Sequence, residues 1–138
     1  MTYSVLARDP DTGDLGVAVQ SKFPGVRGLV PYGEAETGVV ATQAFGNPRH
    51  GSVGLTLLRC GAPPQRAIEI LLDRDQEADR RQVGLVDGSG RVAAYTGSEL
   101  HSWDGWSGSA TGDGCVALGN GLASADVVRE MVRTVRDA

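Results

Sequence analysis

The chain has few cysteines and no long apolar run. Cys60 and Cys115 form no CxxC pair, which excludes a disulfide framework and predicts a reduced protein with both thiols in its core. No segment approaches the roughly 18 apolar residues of a membrane helix, and the N-terminus lacks the basic-then-apolar order of a signal peptide. We therefore expect a cytoplasmic protein without a membrane partner.

Positive charge and histidine are also scarce. Lys22 is the only lysine among 13 basic residues, the net charge is -4, and the arginines form no cluster, so nucleic acid is not an expected partner. His50 and His101 have no carboxylate or cysteine at ligand spacing, which argues against a metal site. No Walker or GxGxxG motif appears, so we expect no cofactor. His50 is predicted to be a surface or helix-cap residue.

Glycine, in contrast, is abundant. The 138 residues include 20 glycines, with 41% hydrophobic and 22% charged residues. This length and composition are typical of one globular domain, here residues 1–138. Glycines spread without a repeat indicate many tight turns between short strands.

Alternating apolar residues predict most of the strands. Thr2–Arg8 and LGVAVQS form a hairpin around the turn DPDTGD, and GVRGLVPYGEA is a third strand or an extended arm. Gly38–Phe45 is a buried fourth strand, and QVGLVDG, RVAAYTG and CVALG complete the set. Ser98–Gly114 is predicted to be a long polar loop that carries both tryptophans.

Three segments show helical spacing of apolar residues. They are NPRHGSVGLTLLRCG, PPQRAIEILLDRD and the C-terminal SADVVREMVRTVRDA, which Ser124 is expected to cap. Hairpins and grouped helices together predict an α+β domain in which two antiparallel sheets stack with the helices outside.

Four longer stretches resemble one known family: YSVLARDPDTGDLGVAVQSKF, GVVATQAFGNPRHGSVGL, RQVGLVDGSGRVAAYTG and GNGLASADVVREM. They are similar, in the same order, to bacterial domain-of-unknown-function family number 1028, which has an N-terminal-nucleophile (Ntn) hydrolase-like fold. The resemblance implies a layered αββα sandwich, shortened here at its C-terminus because family members usually continue past the last helix. We expect a partner subunit in a homo-oligomer to supply a missing edge, unless the chain is a short variant.

The resemblance implies catalysis by Thr2 once Met1 is removed. In Ntn hydrolases the first residue is the nucleophile, and its own α-amine is the base, with a suitable pKa near 8. Lys22 would lower the pKa of the nucleophile or hold a carboxylate, and is otherwise a solvated strand end. Asn47 lies at a strand-to-helix junction, where it would stabilise an oxyanion or simply cap the helix.

Six further polar residues are candidates for substrate binding: Ser21, Gln43, Arg81, Gln82, Thr96 and Asn120. Gln43 lies in an apolar strand, so its amide needs partners from the protein or from a ligand. Arg81 would clamp a substrate carboxylate, unless it pairs with acids of its own run, DRDQEADRR. The remaining four are polar residues at strand ends.

Three functions compete on these residues. The first is Ntn-type hydrolysis of a small amide or cyclic amide, by Thr2. The second is a non-catalytic Ntn-like module that binds a small ligand or assembles as a homo-oligomer. The third moves the nucleophile to Ser21, Ser52 or Cys60, none of which has an evident histidine or acid beside it.

Overall fold

The chain forms eight β-strands and three α-helices, and the computed structural model describes residues 1–138. The strands are β1 (Thr2–Arg8), β2 (Leu15–Ser21), β3 (Pro31–Glu34), β4 (Gly38–Ala44), β5 (Arg81–Asp87), β6 (Val92–Thr96), β7 (Trp106–Gly112) and β8 (Cys115–Leu122). The helices are α1 (Pro48–Arg59), α2 (Pro64–Leu72) and α3 (Asp126–Arg136). Short 3₁₀ turns lie at Val26–Gly28, Ala78–Arg80 and Ser98–Ser102.

The strands form two antiparallel sheets of four. Sheet I has the order β2-β1-β8-β7, and sheet II has the order β3-β4-β5-β6. In sheet I, β1 lies between β2 and β8, so that Thr2 pairs with Ser21 on one side and with Asn120 on the other. In sheet II, Gln43 pairs with Gln82, which in turn pairs with Thr96. These pairs lie at one end of the two sheets, which we call the Thr2 end.

The sheets and helices stack in four layers. The sheets face each other, with β1 against β4 and β8 against β5; α1 and α2 cover sheet II, while α3 covers sheet I. One apolar cluster fills each of the three spaces between layers. The predicted α+β class with two antiparallel sheets and outer helices is therefore confirmed.

The space between the sheets is tightly filled. Leu6, Val86 and Leu118 are fully buried there. Gly84 lies opposite Leu118, and a Cβ on Gly84 would come within 2.9 Å of the leucine side chain. A larger residue at position 84 would push the sheets apart, because the interior has no free volume to accept it.

Several sequence predictions require correction. Ser98–Gly114 is not a long loop, because residues 106–112 form β7. The composition of β7, WSGSATG, has weak strand propensity, and its pairing with β8 determines its conformation. The third strand is limited to residues 31–34, and Cys60 is exposed at the end of α1 rather than in the core.

The C-terminal helix begins two residues after Ser124. The Ser124 side chain accepts a hydrogen bond from Asp126 N at 3.2 Å, although the N-cap position is Ala125. None of the three helices is both long enough and apolar enough to cross a bilayer.

Candidate functional site

Thr2 is the first residue of β1 and points between the two sheets. Residues on one strand face alternate sides, and Ser4 and Leu6, which share the parity of Thr2, are buried between the sheets. Its partner Ser21 ends β2 on the same side. Thr2 Oγ1 and Ser21 Oγ lie 2.8 Å apart and share a hydrogen bond. The start of the chain therefore brings two hydroxyl groups together at the Thr2 end.

Met1 continues the β1–β2 pairing by one residue. Its carbonyl oxygen accepts hydrogen bonds from Ser21 Oγ at 3.1 Å and from Lys22 N at 3.3 Å. The Ser21 hydroxyl also accepts a hydrogen bond from Phe23 N at 3.0 Å. Ser21 thus connects the Thr2 side chain, the Met1 backbone and the segment after β2. Met1 itself is 42% exposed.

Lys22 lies directly after β2 and is exposed. Its ammonium group belongs to none of the ion pairs of the chain. Lys22 lies between Ser21 and Phe23 in the chain, which places a free cation beside the Thr2 end. A solvated ammonium of this kind is available to an acidic ligand.

A buried network of amides lies behind Thr2. Ser4 Oγ donates to Gln43 Oε1 at 2.7 Å, and Gln43 Nε2 donates to Gln82 Oε1 at 2.8 Å. Asn120 Nδ2 donates to the same Gln82 oxygen at 3.1 Å. Gln82 Nε2 in turn contacts the carbonyls of Gly119 and Gly108 and the Thr96 hydroxyl, at 2.9–3.1 Å. The network joins both sheets through residues of six strands: β1, β4, β5, β6, β7 and β8.

The buried position of this network indicates a structural role rather than contact with a substrate. Gln43, Gln82 and Asn120 are at most 1% exposed, and Gln82 uses its oxygen twice and its nitrogen three times. Buried polar groups satisfied in this way hold a structure in one arrangement. The structure brings Gln43, Gln82, Thr96 and Asn120 together in one hydrogen-bonded network, and the three amide side chains are buried behind Thr2 rather than facing solvent.

The junction between β4 and α1 forms one wall of the Thr2 end. Ala44 has a φ of 67°, a left-handed conformation that costs energy for a residue with a side chain. Gly46 follows, and a Cβ on it would lie 2.9 Å from the Thr42 carbonyl oxygen. Its N–H makes none of the hydrogen bonds found within the chain, so one backbone donor is free here.

Asn47 acts as the N-cap of α1. Its side chain accepts a hydrogen bond from Arg49 N at 3.1 Å, and Pro48 occupies the first helical position. The capping alternative weighed for Asn47 is confirmed. Its side-chain oxygen is therefore already engaged, whereas its side-chain Nδ2 and the preceding Gly46 N–H make no hydrogen bond within the chain.

Arg81 lies on the opposite face of sheet II from Gln82, because neighbouring strand residues alternate. Its guanidinium binds Asp75 through two nitrogens, at 2.8 and 3.1 Å, and Glu77 at 3.1 Å. A third nitrogen donates to the Phe45 carbonyl at 2.5 Å. This geometry places Arg81 outside the group around Thr2 and leaves no donor aimed at a substrate; its pairing with acids of its own run is the alternative that fits.

The ion pair shifts the pKa of both partners. Hydrogen bonds from Arg81 lower the pKa of Asp75, and the Asp75 carboxylate raises the pKa of Arg81. Both side chains are about nine-tenths buried, at 9% and 10% exposed. They therefore remain charged and paired at neutral pH.

His50 is buried, not a surface residue as its sequence position predicted. It is 3% exposed in the first turn of α1, and its Nε2 lies 3.1 Å from Asp75 Oδ2. Burial lowers the pKa of His50, and the opposing attraction of Asp75 does not offset it. We infer a neutral imidazole that donates its Nε2 proton to Asp75 at neutral pH.

Sequence reasoning missed three residues of this region: Ser4, Phe45 and Asp75. Ser4 shares the parity of Thr2 and Leu6 along β1, a signal that alternation already contained. Asp75 pairs with Arg81 of the same charged run, but it lies in the connection after α2, and only the folded chain brings it to His50. No local pattern marks that contact.

A groove of about 910 Å³ lies elsewhere, at the far end of β1 and β2 beside the end of α3. Arg8, Asp113 and Arg136 contribute charge, and Val5, Ala7 and Ala18 contribute apolar surface. None of the predicted site residues lines it. The candidate site at Thr2 and this groove are separate features.

A family model described as "Family of unknown function (DUF1028)" matches residues 2–138, and the chain belongs to this family. The crystal structure of protein SPO2555 from Silicibacter pomeroyi, which carries the same family name, is similar, with 33% identity and a TM-score of 0.92. The match covers 99% of this chain and 60% of the SPO2555 chain, so this chain spans less than two thirds of that protein's length. Among curated proteins, none matches.

Proposed function

We propose that this member of the DUF1028 family is an Ntn-type hydrolase of a small amide or cyclic amide, with Thr2 as its nucleophile after removal of Met1. The observation that carries the proposal is the position of Thr2. It begins a central strand, faces the space between the sheets, and lies 2.8 Å from a second hydroxyl, that of Ser21.

The layer order supports the proposal. Helices outside two face-to-face antiparallel sheets are the arrangement that an Ntn hydrolase requires, with the nucleophile at the start of a strand of one sheet. Fold alone does not establish function, because one architecture hosts many activities. A catalytic role therefore depends on the groups around Thr2.

The chemistry begins with the peptide bond of Met1. Its removal would leave the α-amine of Thr2 free and take away the carbonyl to which Ser21 and Lys22 now donate. The free amine, with a typical pKa of about 8, accepts the proton of Thr2 Oγ as that oxygen attacks the amide carbon. The C–N bond then breaks, the leaving nitrogen takes this proton, and water hydrolyses the ester on Thr2. Ser21, released from Met1, would hold the amine or Thr2 Oγ in position.

The negative charge that develops on the substrate oxygen needs donors. The Gly46 N–H is unused within the chain and precedes α1, whose N-terminus carries partial positive charge. A backbone donor held by a strained turn needs no reorganisation when charge appears. We assign the oxyanion to this N–H, with Asn47 as the cap that orders the helix start, and assign to Lys22 the binding of an acidic group on the substrate.

The non-catalytic module is the second candidate, and one observation favours it. The carbonyl of Met1 is held by two donors as a regular extension of the β1–β2 hairpin. A retained Met1 would leave a binding site without a nucleophilic amine. Homo-oligomer formation is compatible with both candidates, and light scattering measures it.

Two measurements on the purified protein test the catalytic proposal. Intact-mass spectrometry reports whether Met1 is removed. Incubation with a β-lactone, followed by peptide mapping, reports whether Thr2 is acylated. We expect loss of Met1, one adduct on Thr2, and no adduct on Thr2→Ala.

The controls separate position from reactivity. Thr12→Ala removes an exposed turn threonine and should be labelled like the wild type. Ser21→Ala should slow labelling by at least about tenfold, because it removes the group that positions the nucleophile. Full retention of Met1, or labelling that persists in Thr2→Ala, would refute the mechanism and leave the non-catalytic reading.

A further inference from the structure

Exposed apolar side chains collect at the Thr2 end. Six large apolar residues are markedly exposed: Met1 (42%), Phe23 (60%), Leu29 (44%), Phe45 (47%), Val53 (39%) and Ile70 (42%). Met1 and Phe23 adjoin Thr2 and Ser21, and Phe45 lies two residues after Gln43 of the amide network, whereas Val53 and Ile70 lie on α1 and α2. Single exposed apolar residues are common on proteins, but a cluster beside a polar site indicates a binding surface.

Phe45 is exposed, but both its backbone and its ring make several contacts. Its N–H donates to the Arg80 carbonyl at 3.2 Å, and its own carbonyl accepts from Arg81 at 2.5 Å. The Arg80 guanidinium lies 3.6 Å from the ring centroid, and the Trp103 ring meets it edge-on at 5.9 Å. Nearly half of the Phe45 side chain is nevertheless in solvent.

Arg80 lies over one face of the Phe45 ring and Trp103 contacts the ring in a T-shaped geometry, yet Phe45 remains 47% exposed. A phenyl ring that is fixed but uncovered gains little for the stability of the fold, because stability comes from burying its surface. It does lower the entropy cost of binding, since a fixed side chain has no rotamer freedom to lose. The Phe45 ring is thus a fixed apolar surface that is partly exposed to solvent.

The backbone ties this ring to the candidate site. Phe45 lies between Ala44, in its left-handed conformation, and Gly46, whose N–H is free. Two residues before it, Gln43 joins the buried amide network under Thr2. One short turn therefore carries the apolar surface and the free donor side by side.

We propose that Phe45 determines specificity at this site, and that the ligand is a small amide carrying an aromatic or other flat apolar group. The apolar group packs on the exposed part of the Phe45 ring, while the amide lies toward Thr2 and Gly46. The assignment of the ligand as a substrate rests on the proposed function. Binding itself does not depend on turnover.

Two matched probes test the proposal: N-benzoylglycine and N-acetylglycine have the same charge and the same amide and differ only in the apolar group. Titration of each into Thr2→Ala protein, followed by NMR shifts of the Gly46 and Trp103 signals, measures affinity without hydrolysis. We expect N-benzoylglycine to bind at least about tenfold tighter, as expected for one buried aromatic contact. Equal affinities would overturn the proposal.

Three variants test whether the preference for N-benzoylglycine depends on Phe45. Phe45→Ala should remove the preference for N-benzoylglycine, Phe45→Trp should keep it, and Ile70→Ala, which removes an apolar side chain of similar exposure on α2, should also keep it. Thermal unfolding of each variant verifies the fold, and Phe45→Trp retains the test if Phe45→Ala does not fold. A preference that survives in Phe45→Ala, or is lost equally in Ile70→Ala, would contradict the assignment.

Other outcomes separate this inference from the function on which it builds. A preference for the benzoyl probe without any β-lactone adduct refutes the hydrolase and supports the apolar site. Labelling of Thr2 without any benzoyl preference does the reverse. A wild-type dimer that becomes monomeric in Phe45→Ala and binds neither probe would assign Phe45 to a contact with a second copy of the chain, and would overturn the proposal.

Discussion

Replacing Arg81 with methionine tests how much its buried ion pair contributes to the free energy of unfolding. The substitution keeps most of the side-chain volume. It removes the positive charge of Arg81 and the hydrogen bonds that Arg81 donates to Asp75, Glu77 and the Phe45 carbonyl. Asp75, 9% exposed, then keeps a buried carboxylate whose remaining side-chain partner is the neutral His50.

The magnitude follows from the burial of the two partners. Breaking one side of a buried ion pair costs about 3–5 kcal/mol, because the other charge stays in a medium that solvates it poorly. For a domain of this size that loss lowers Tm by roughly 10–20 °C. Glu77 contacts the same guanidinium but is 50% exposed, so Glu77→Gln should cost only about 0–1 kcal/mol.

Urea unfolding at pH 7, followed by circular dichroism, measures these differences. The double variant Arg81→Met/Asp75→Asn should lose less unfolding free energy than the sum of the two single losses, because asparagine leaves no unpaired buried charge. Because the pKa of Asp75 is lowered in the folded state, the stabilisation is present above its unfolded value and is lost as the pH falls through its folded value. Equal losses for Arg81→Met and Glu77→Gln, or a loss below about 1 kcal/mol, would refute the reasoning.

Two further predictions concern buried polar groups. Burial lowers the pKa of His50, so just below pH 6.5 the folded state binds fewer protons than the unfolded chain does. The free energy of unfolding should therefore decline as the pH falls from that value. The variant His50→Gln does not titrate at this position, so in the same urea assay its stability should decline less between pH 7 and 5. Gln82→Leu should cost about 3 kcal/mol, because it strands the amides of Gln43 and Asn120 and the Gly119 carbonyl. The exposed Gln20→Leu should change the unfolding free energy by less than about 1 kcal/mol, and a similar loss in both variants would contradict the role of the network.

Periodicity in the sequence was sufficient to predict seven of the eight strands and all three helices approximately. The hairpin of β1 and β2, for instance, combines alternating apolar residues with a turn of Pro, Asp and Gly. β7 was missed because its glycines and serines have no strand signal of their own. Its partner β8 supplies the hydrogen bonds, which a local pattern does not contain.

For the candidate site, the sequence indicated the residue types but not their arrangement. Gln43 was recognisable as an amide inside an apolar strand, and Gln82, Thr96 and Asn120 as polar residues at strand ends. No local pattern indicates that Gln82 joins the other three. Arg81 and Gln82 are neighbours in the chain but point to opposite faces of sheet II. Because neighbouring strand residues face opposite sides, Arg81 joins an ion pair on one side of sheet II and Gln82 joins the amide network on the other.

The sequence by itself thus determined the α+β class, the strand-leading position of Thr2 and the family of the chain, because these depend on local pattern and on sequence similarity. The tertiary structure alone decided which groups meet. It brought Ser21 to Thr2, buried His50 against Asp75, and fixed Phe45 between Arg80 and Trp103. Each of these contacts joins residues distant in the chain, and their geometry follows from the packing of two sheets and three helices rather than from any single segment.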